Sequence, residues 1–237
     1  MFAGPNGSGK STIKSILNPE LLGVYINPDD IQKQIEAAGM LSLEEFRVDC
    51  SLEELQRHFR TSALAERVGL NGFFDQLGMR GQNILIPSNR ADSYVASILA
   101  DFIRQRLLNR RISFSFETVM SSADKVALLA KARYAGFRTY LYYIATENPA
   151  INVWRVKRRV ELGGHDVPTE KIISRYYRSL DLLVEAIRNS DRAYLFDNSG
   201  TEQFWIAEIT NGRELQVHAN TLPNWFKIAV WDKLQLS

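Results

Sequence analysis

Gly4-Pro5-Asn6-Gly7-Ser8-Gly9-Lys10-Ser11-Thr12 decides how the rest of this sequence is read. The nine residues fit G-x-x-x-x-G-K-[ST], the phosphate-binding P-loop. Glycines permit a tight turn whose backbone N–H groups point inward at phosphate oxygens. The spacing assigns Lys10 to the β- and γ-phosphates and the Ser11 hydroxyl to Mg²⁺. A helical run from Ser11 to Leu17 follows, aiming its positive amino end at the same anion. Gly4, Pro5, Asn6, Gly7, Ser8, Gly9, Lys10, Ser11 and Thr12 are therefore candidate contacts to a nucleoside triphosphate. Only Met1-Phe2-Ala3 precede the loop, fewer than the usual five or so residues of a strand.

Moving outward, two further segments place carboxylates where strand gives way to helix or turn. Leu22 to Ile26 reads as a buried strand and ends at Asn27-Pro28-Asp29-Asp30-Ile31. Ile112 to Phe116 alternates small and aromatic residues and runs into Glu117-Thr118, followed by a Ser/Thr-rich turn. Ligands of open α/β sheets bind beyond the carboxyl ends of the strands. Asp29, Asp30 and Glu117 are thus candidate site residues, with Thr118 as a hydroxyl donor. Helix capping accounts equally well for one of the two aspartates.

Thr139 to Ile144 is the next strand, and Asn148-Pro149 opens a helix carrying Arg155 and Arg159, an i,i+4 pair on one face. Gly163-Gly164-His165-Asp166-Val167-Pro168 links it to a long helix that buries Ile172, Ile173, Tyr176, Leu180, Leu183 and Ile187 and shows Arg175 elsewhere. A helix–Gly-Gly–helix unit lined with arginine suits a lid over transferring phosphates. Arg192 to Phe196 is the last core strand. Asn211-Gly212 between two apolar runs predicts a hairpin, and an amphipathic segment around Trp225 and Phe226 ends the sequence.

The stretch 40–90 reads as a helical insertion, with capping-box patterns at Ser42…Glu45 and Ser51…Glu54 and loops at 71–72 and 78–83. His58 has no partner at ligand spacing and is assigned to surface or packing. A strong amphipathic helix follows it, with Arg104, Arg106, Arg110 and Arg111 in or after its carboxyl half, where cations suit the dipole. The expected organisation is one α/β P-loop domain over 1–237, with the 40–90 insertion inside it and a hairpin-and-helix extension over 200–237.

A length of 237 residues, 45% hydrophobic and 24% charged, fits one large globular domain. The net charge of +2 gives nucleic-acid or membrane binding no push. A single cysteine, Cys50, excludes an internal disulfide and a cysteine-based metal site. No apolar run reaches membrane-spanning length, and the P-loop stands where a signal peptide would have its apolar core. A cytoplasmic location is the expectation.

Taken together, Gly4–Thr12, Asn27-Pro28-Asp29-Asp30-Ile31, Phe116-Glu117-Thr118, Arg155-Val156…Arg159-Val160, the 163–168 link, Arg175-Tyr176…Arg178-Ser179-Leu180 and Phe196-Asp197-Asn198-Ser199 resemble the zeta-toxin-like family of P-loop kinases. The resemblance runs from Gly4 to Ser199 and leaves out the insertion and the tail. It implies a P-loop NTPase fold with a nucleoside-kinase-like parallel sheet, flanking helices and a lid. It also implies transfer of a phosphoryl group from ATP or GTP, with Mg²⁺, to a small-molecule hydroxyl. The best-known zeta toxins use the nucleotide sugar UDP-N-acetylglucosamine. By the resemblance, Asp29 is the base that deprotonates the acceptor, with Asp30 in reserve. Glu117 is the acidic residue of the substrate pocket, and Arg155 or Arg159 is the lid arginine on the nucleotide phosphates. His165 falls where those toxins have a second lid arginine, a part Arg175 could take. An antitoxin protein is the implied partner.

Other uses of a P-loop compete. Transport ATPases need a Ser-Gly-Gly signature and a terminal Asp-Glu. Here Leu162-Gly163-Gly164-His165 lacks the serine and Asp197-Asn198 lacks the glutamate. A nucleotide-binding ATPase or regulatory module without kinase turnover is the main alternative. A kinase acting on nucleic acid would show salt-dependent binding.

Overall fold

The computed structural model describes residues 1–70, 72–87, 92–164 and 166–235. In chain order its strands and main helices begin with Phe2–Ala3 (β1), Lys10–Ile16 (α1), Val24–Ile26 (β2), Pro28–Ala38 (α2), Met40–Ser42 (β3), Leu52–Arg60 (α3), Ala63–Arg67 (α4), Gly78–Arg80 (β4), Asn83–Leu85 (β5) and Ser93–Asn109 (α5). They continue with Phe114–Thr118 (β6), Ala123–Tyr134 (α6), Tyr140–Ala145 (β7), Pro149–Glu161 (α7), Thr169–Asp181 (α8), Leu183–Arg188 (α9), Arg192–Asp197 (β8), Phe204–Thr210 (β9), Glu214–Val217 (β10) and Asn224–Phe226 (α10). A π-helical turn, Lys227–Trp231, and Asp232–Gln235 (α11) complete the set. The chain divides into two units, Met1–Leu17 with Glu117–Ser237, and Asn18–Phe116.

In the first unit the strands pair in the order β10-β9-β8-β7-β1-β6, with β6 entering through Glu117 and Thr118. β1 is parallel to both neighbours, and β7 is parallel to β8. The two residues of β1 thus hold an interior position. Their shortness is offset by burial, since Phe2 and Ala3 are at most 1% exposed and Phe2 stacks on Tyr142, which stacks in turn on Tyr194. β9 and β10 are antiparallel and finish the sheet. Their turn follows from Asn211-Gly212. Both residues take positive φ, 51° and 70°, and Arg213 N–H donates to Thr210 O. That is the primed turn whose twist matches a hairpin. α7 and α8 close over Val156, Val167 and Ile172. The long helix expected after Pro168 is broken at Leu182 into α8 and α9, and Ile173 is 37% exposed rather than buried.

The second unit pairs β2 in parallel with Phe114–Phe116 of β6. α2 and α5 are its main helices. α5 is apolar over most of its circumference, from Val95 to Leu108. Arg104 belongs to that buried set, contrary to the dipole reading. It is 1% exposed, lies over the Phe116 ring and pairs with Asp101. Arg106 and Arg110 reach Glu54 and Asp49 instead of serving the helix end. His58 packs edge-on to Phe102 beside Asp101, and burial holds its imidazole below the ordinary value.

The stretch expected to be helices and loops also contains a three-stranded antiparallel sheet, β3-β5-β4. Three-residue strands are too short to give a period-2 signal. The loop expected over 78–83 is in fact strand, turn and strand. Of the two capping boxes, Ser51–Glu54 forms in both directions. Ser42 lies in β3 instead, and the turn after it starts at Leu43 with no side-chain cap.

Candidate functional site

The backbone of Gly4–Gly9 can be made only from glycine at three points. Gly4, Gly7 and Gly9 have φ of 142°, 72° and 96°. A Cβ at Gly4 would lie 2.0 Å from Ile144 O, at Gly7 2.8 Å from Asn152 O, and at Gly9 2.2 Å from Asn198 Nδ2. Any side chain would therefore need both a disfavoured backbone and space already filled. Lys10 Nζ is drawn over the loop, donating to Gly4 O at 2.9 Å and Pro5 O at 3.1 Å. Ser8 is fully buried, and its Oγ has no hydrogen-bond partner. Ser11 and Thr12 are exposed at the start of α1.

Two asparagines, neither assigned a role in the sequence reading, hold the loop from outside. Asn152 on α7 is fully buried and donates from Nδ2 to Asn6 O at 2.6 Å. Its Oδ1 accepts from Thr146 Oγ1, and Tyr176 on α8 donates to Thr146 O at 2.6 Å. Burial pushes the Tyr176 hydroxyl up, which keeps it a donor. Asn198, just after β8, donates to Ser8 O at 2.8 Å, while its own N–H donates to Ala145 O. A lone asparagine in a helix or turn carries no periodic signal. Only the proximity of Asn198 to a strand's carboxyl end hinted at its place.

The basic residues of α7 and α8 are positioned as follows. Arg155 is half-buried and donates from Nη2 to Gly200 O at 3.0 Å, whereas its buried Nη1 has no hydrogen-bond partner. Arg159 is exposed, and the chain turns back over its stem. Gly164 N–H donates to Arg159 O, and a Cβ there would meet Arg159 Cγ at 2.6 Å. Arg175 is half-buried on α8. His165 lies outside the described residues.

Glu117 and Thr118 are the last residues of β6 rather than the turn after it. They sit in register with Phe2 and Ala3, directly before Gly4. Thr118 Oγ1 accepts from Met120 N–H at 2.9 Å, and Met120 takes a positive φ of 53°. Asp29 and Asp30 belong to the second unit, exposed in the first turn of α2. Asn27 caps that helix by accepting from Asp29 N–H at 3.0 Å, so neither carboxylate is needed as the cap.

Among the described residues no group of three or more His, Cys, Asp or Glu is placed to hold a metal ion. A P-loop Mg²⁺ needs no such group, because it keeps waters and takes few protein oxygens beside the phosphates. Among the described residues no helix is long and apolar enough to cross a membrane.

The comparisons with known proteins point the same way. The zeta toxin family model matches residues 87–209. That match begins well after Thr12, so the phosphate loop and the family model are separate indications. A cytidylate kinase of Clostridium perfringens is 24% identical over 208 residues, covering 83% of this chain and 88% of its own. An uncharacterized protein of Haemophilus influenzae is 23% identical over 175 residues, covering 74% and 89%. The native AvrRxo1-ORF1:-ORF2 complex has a chain that superposes with a TM-score of 0.55 at 17% identity, over 100% of this chain and 64% of that one. The same complex crystallised with ATP gives 0.53 at 16%, over 98% and 62%. This chain thus spans less than two thirds of the length of those structures, and the likeness shows a shared P-loop kinase-like fold. With the family model matching more than half of its length, the chain belongs to the zeta toxin family.

Proposed function

We propose that this protein transfers the γ-phosphoryl group of ATP or GTP to a hydroxyl of a small molecule, with nucleotide sugars the first acceptors to test. The observation that carries the reading is the loop itself. Its glycines leave no room for a Cβ, its backbone is clamped at Asn6 O and Ser8 O, and Lys10 Nζ stands over it. The kinase name of the Clostridium perfringens relatives and the ATP in the AvrRxo1 complex support the same direction.

In this reading the loop amides and Lys10 bind the β- and γ-phosphates. Ser11 offers its exposed hydroxyl to Mg²⁺, which would neutralise charge on the phosphate oxygens. Arg155, with Arg159 or Arg175, spreads positive charge over the transferring group, and the buried Nη1 of Arg155 is a donor suited to a phosphate or base oxygen. Asp29 takes the acceptor's proton as its oxygen bonds to the γ-phosphorus, while the bond to the β–γ bridging oxygen breaks and the nucleoside diphosphate leaves. Asp30 is the reserve base. Glu117, Thr118 and His165 are assigned to the acceptor.

The test is nucleoside diphosphate release with a panel of hydroxylated acceptors. Asp29→Asn is expected to lower kcat by about 10²-fold or more, and Lys10→Ala to abolish detectable transfer. Full transfer by Asp29→Asn removes that base. Tight ATP binding with no transfer to any acceptor replaces the kinase reading with a binding module. A protein partner belongs to the same proposal, because the AvrRxo1 structures are two-protein complexes. Growth arrest on induced expression, relieved by Lys10→Ala, is the expected sign of a toxin.

A further inference from the structure

The carboxyl-terminal segment lies beyond the matched family region, which ends at residue 209. Its α10 is nevertheless hydrogen-bonded to Asp197, the last residue of β8, and to Glu147, just after β7. Trp225, 4% exposed, donates from Nε1 to Asp197 Oδ2 at 2.7 Å. Asn224 donates from its backbone N–H and from Nδ2 to the Glu147 carboxylate. Asp197 is a buried carboxylate at the end of β8, only 7% exposed. Its remaining acceptor capacity goes to the next turn, because Ser199 N–H donates to Oδ1 and Ser199 Oγ–H to Oδ2. Ser199 Oγ in turn accepts from Glu147 N–H at 2.7 Å.

Asn198 stands between these two anchored residues, and it is the residue whose amide holds Ser8 O of the loop. Its side chain also fills the space that only a glycine at position 9 leaves free. We infer that Trp225 is a positioning residue for nucleotide binding: through Asp197 and the 197–199 turn it fixes Asn198, and Asn198 fixes the loop. The inference rests on the nucleotide-binding reading of Gly4–Thr12. Physically, a buried carboxylate deprived of one of its three donors is under-satisfied. The turn it organises must then loosen or admit water, and the clamp on Ser8 O loosens with it. The indole packs beside Tyr143 and edge-on to Phe226, so its ring alone would seal the core. The N–H is what a purely packing role does not require.

The experiment compares Trp225→Phe, which keeps a ring and removes the donor, with Val230→Ala, which removes fully buried bulk from the same segment and no hydrogen bond. Two readouts are taken below the melting range of both variants: hydrogen–deuterium exchange of the Gly7–Lys10 amides without nucleotide, and Kd for Mg-ATP. Trp225→Phe is expected to speed exchange and weaken ATP binding by about three- to tenfold. Val230→Ala is expected to lower Tm and move neither readout. Asn224→Ala, on an exposed side chain that does not threaten folding, should move both in the same direction by about twofold. The inference is overturned if Trp225→Phe leaves loop exchange unchanged, or if Val230→Ala moves the readouts by the same factor. If the wild-type chain binds no ATP, the nucleotide reading fails, and the exchange comparison alone still decides whether Trp225 positions the loop.

Discussion

Two loops of the first unit meet where Asn198 donates to Ser8 O, and they are built in opposite ways. The loop after β1 gets its shape from missing side chains: three glycines at positive φ, each with neighbouring atoms where a Cβ would go. The turn after β8 gets its shape from side chains that are present. The Asp197 carboxylate accepts from Ser199 N–H, Ser199 Oγ–H and Trp225 Nε1 of the carboxyl-terminal segment, and Asn198 donates to Ser8 O of the first loop. The first loop can bring its amides close to an anion, and besides its own bonds from Lys10 and Ser8 it is held from outside at Asn6 O and Ser8 O. The second has no freedom to spare and lends its rigidity to the first.

The sharpest break of this pairing is Gly4→Ala. Its Cβ would meet Ile144 O at 2.0 Å, backbone against backbone, and neither can yield cheaply. A loss of about 4 kcal/mol or more is expected in urea denaturation. Gly9→Ala comes next, at about 3 kcal/mol, from φ strain together with displacement of Asn198. Combining it with Asn198→Ala removes the collision and leaves the strain, so the double variant should be more stable than the sum of the singles by about 1 kcal/mol. Strict additivity would mean that the two loops do not share that space. Asn152→Ala removes the buried clamp on Asn6 O and leaves Thr146 Oγ1 only its long bond to Asn148 O at 3.4 Å. About 2 kcal/mol of stability should go, with weaker Mg-ATP binding by isothermal titration. Asn198→Ala alone is the mildest, about 1 kcal/mol, and its effect on ATP affinity should exceed its effect on Tm.

The same contrast explains what the sequence made legible. A loop defined by glycine spacing is written in the residue string, as Gly4, Gly9, Lys10 and Ser11 are. Asn211-Gly212 was readable for the same reason, because positive φ at two successive residues needs those residue types. The clamps were not readable. Asn152, itself held by Thr146, meets Asn6 only through folding, and Trp225 looks like any apolar residue of an amphipathic segment until its N–H finds Asp197. The capping patterns show how far local rules reach. Ser51 caps a helix with Glu54, whereas the identical spacing at Ser42 and Glu45 is overridden when Ser42 pairs with Asn83 across the small sheet. Arg104 shows the same override, since a helix-end cation by position becomes a buried one beside Asp101 and Phe116.

The placement of β1 has a consequence for how the molecule is made. Phe2 and Ala3 leave the ribosome well before their partners, Glu117–Thr118 and Tyr142–Tyr143. Asn18–Phe116 is continuous in sequence and has its own buried core, so its contacts are available while the rest of the chain is still emerging. The unit that carries the phosphate loop must wait for its second half. Pairing across such a sequence separation is slow, because loop-closure entropy is spent before the contacts form. A nascent chain that ends before β7 therefore has the nine residues of the loop and only one of the two strands that flank β1. The clamps on Asn6 O and Ser8 O come from Asn152 and Asn198, so a product stalled before them carries the nine-residue motif without the contacts that hold it.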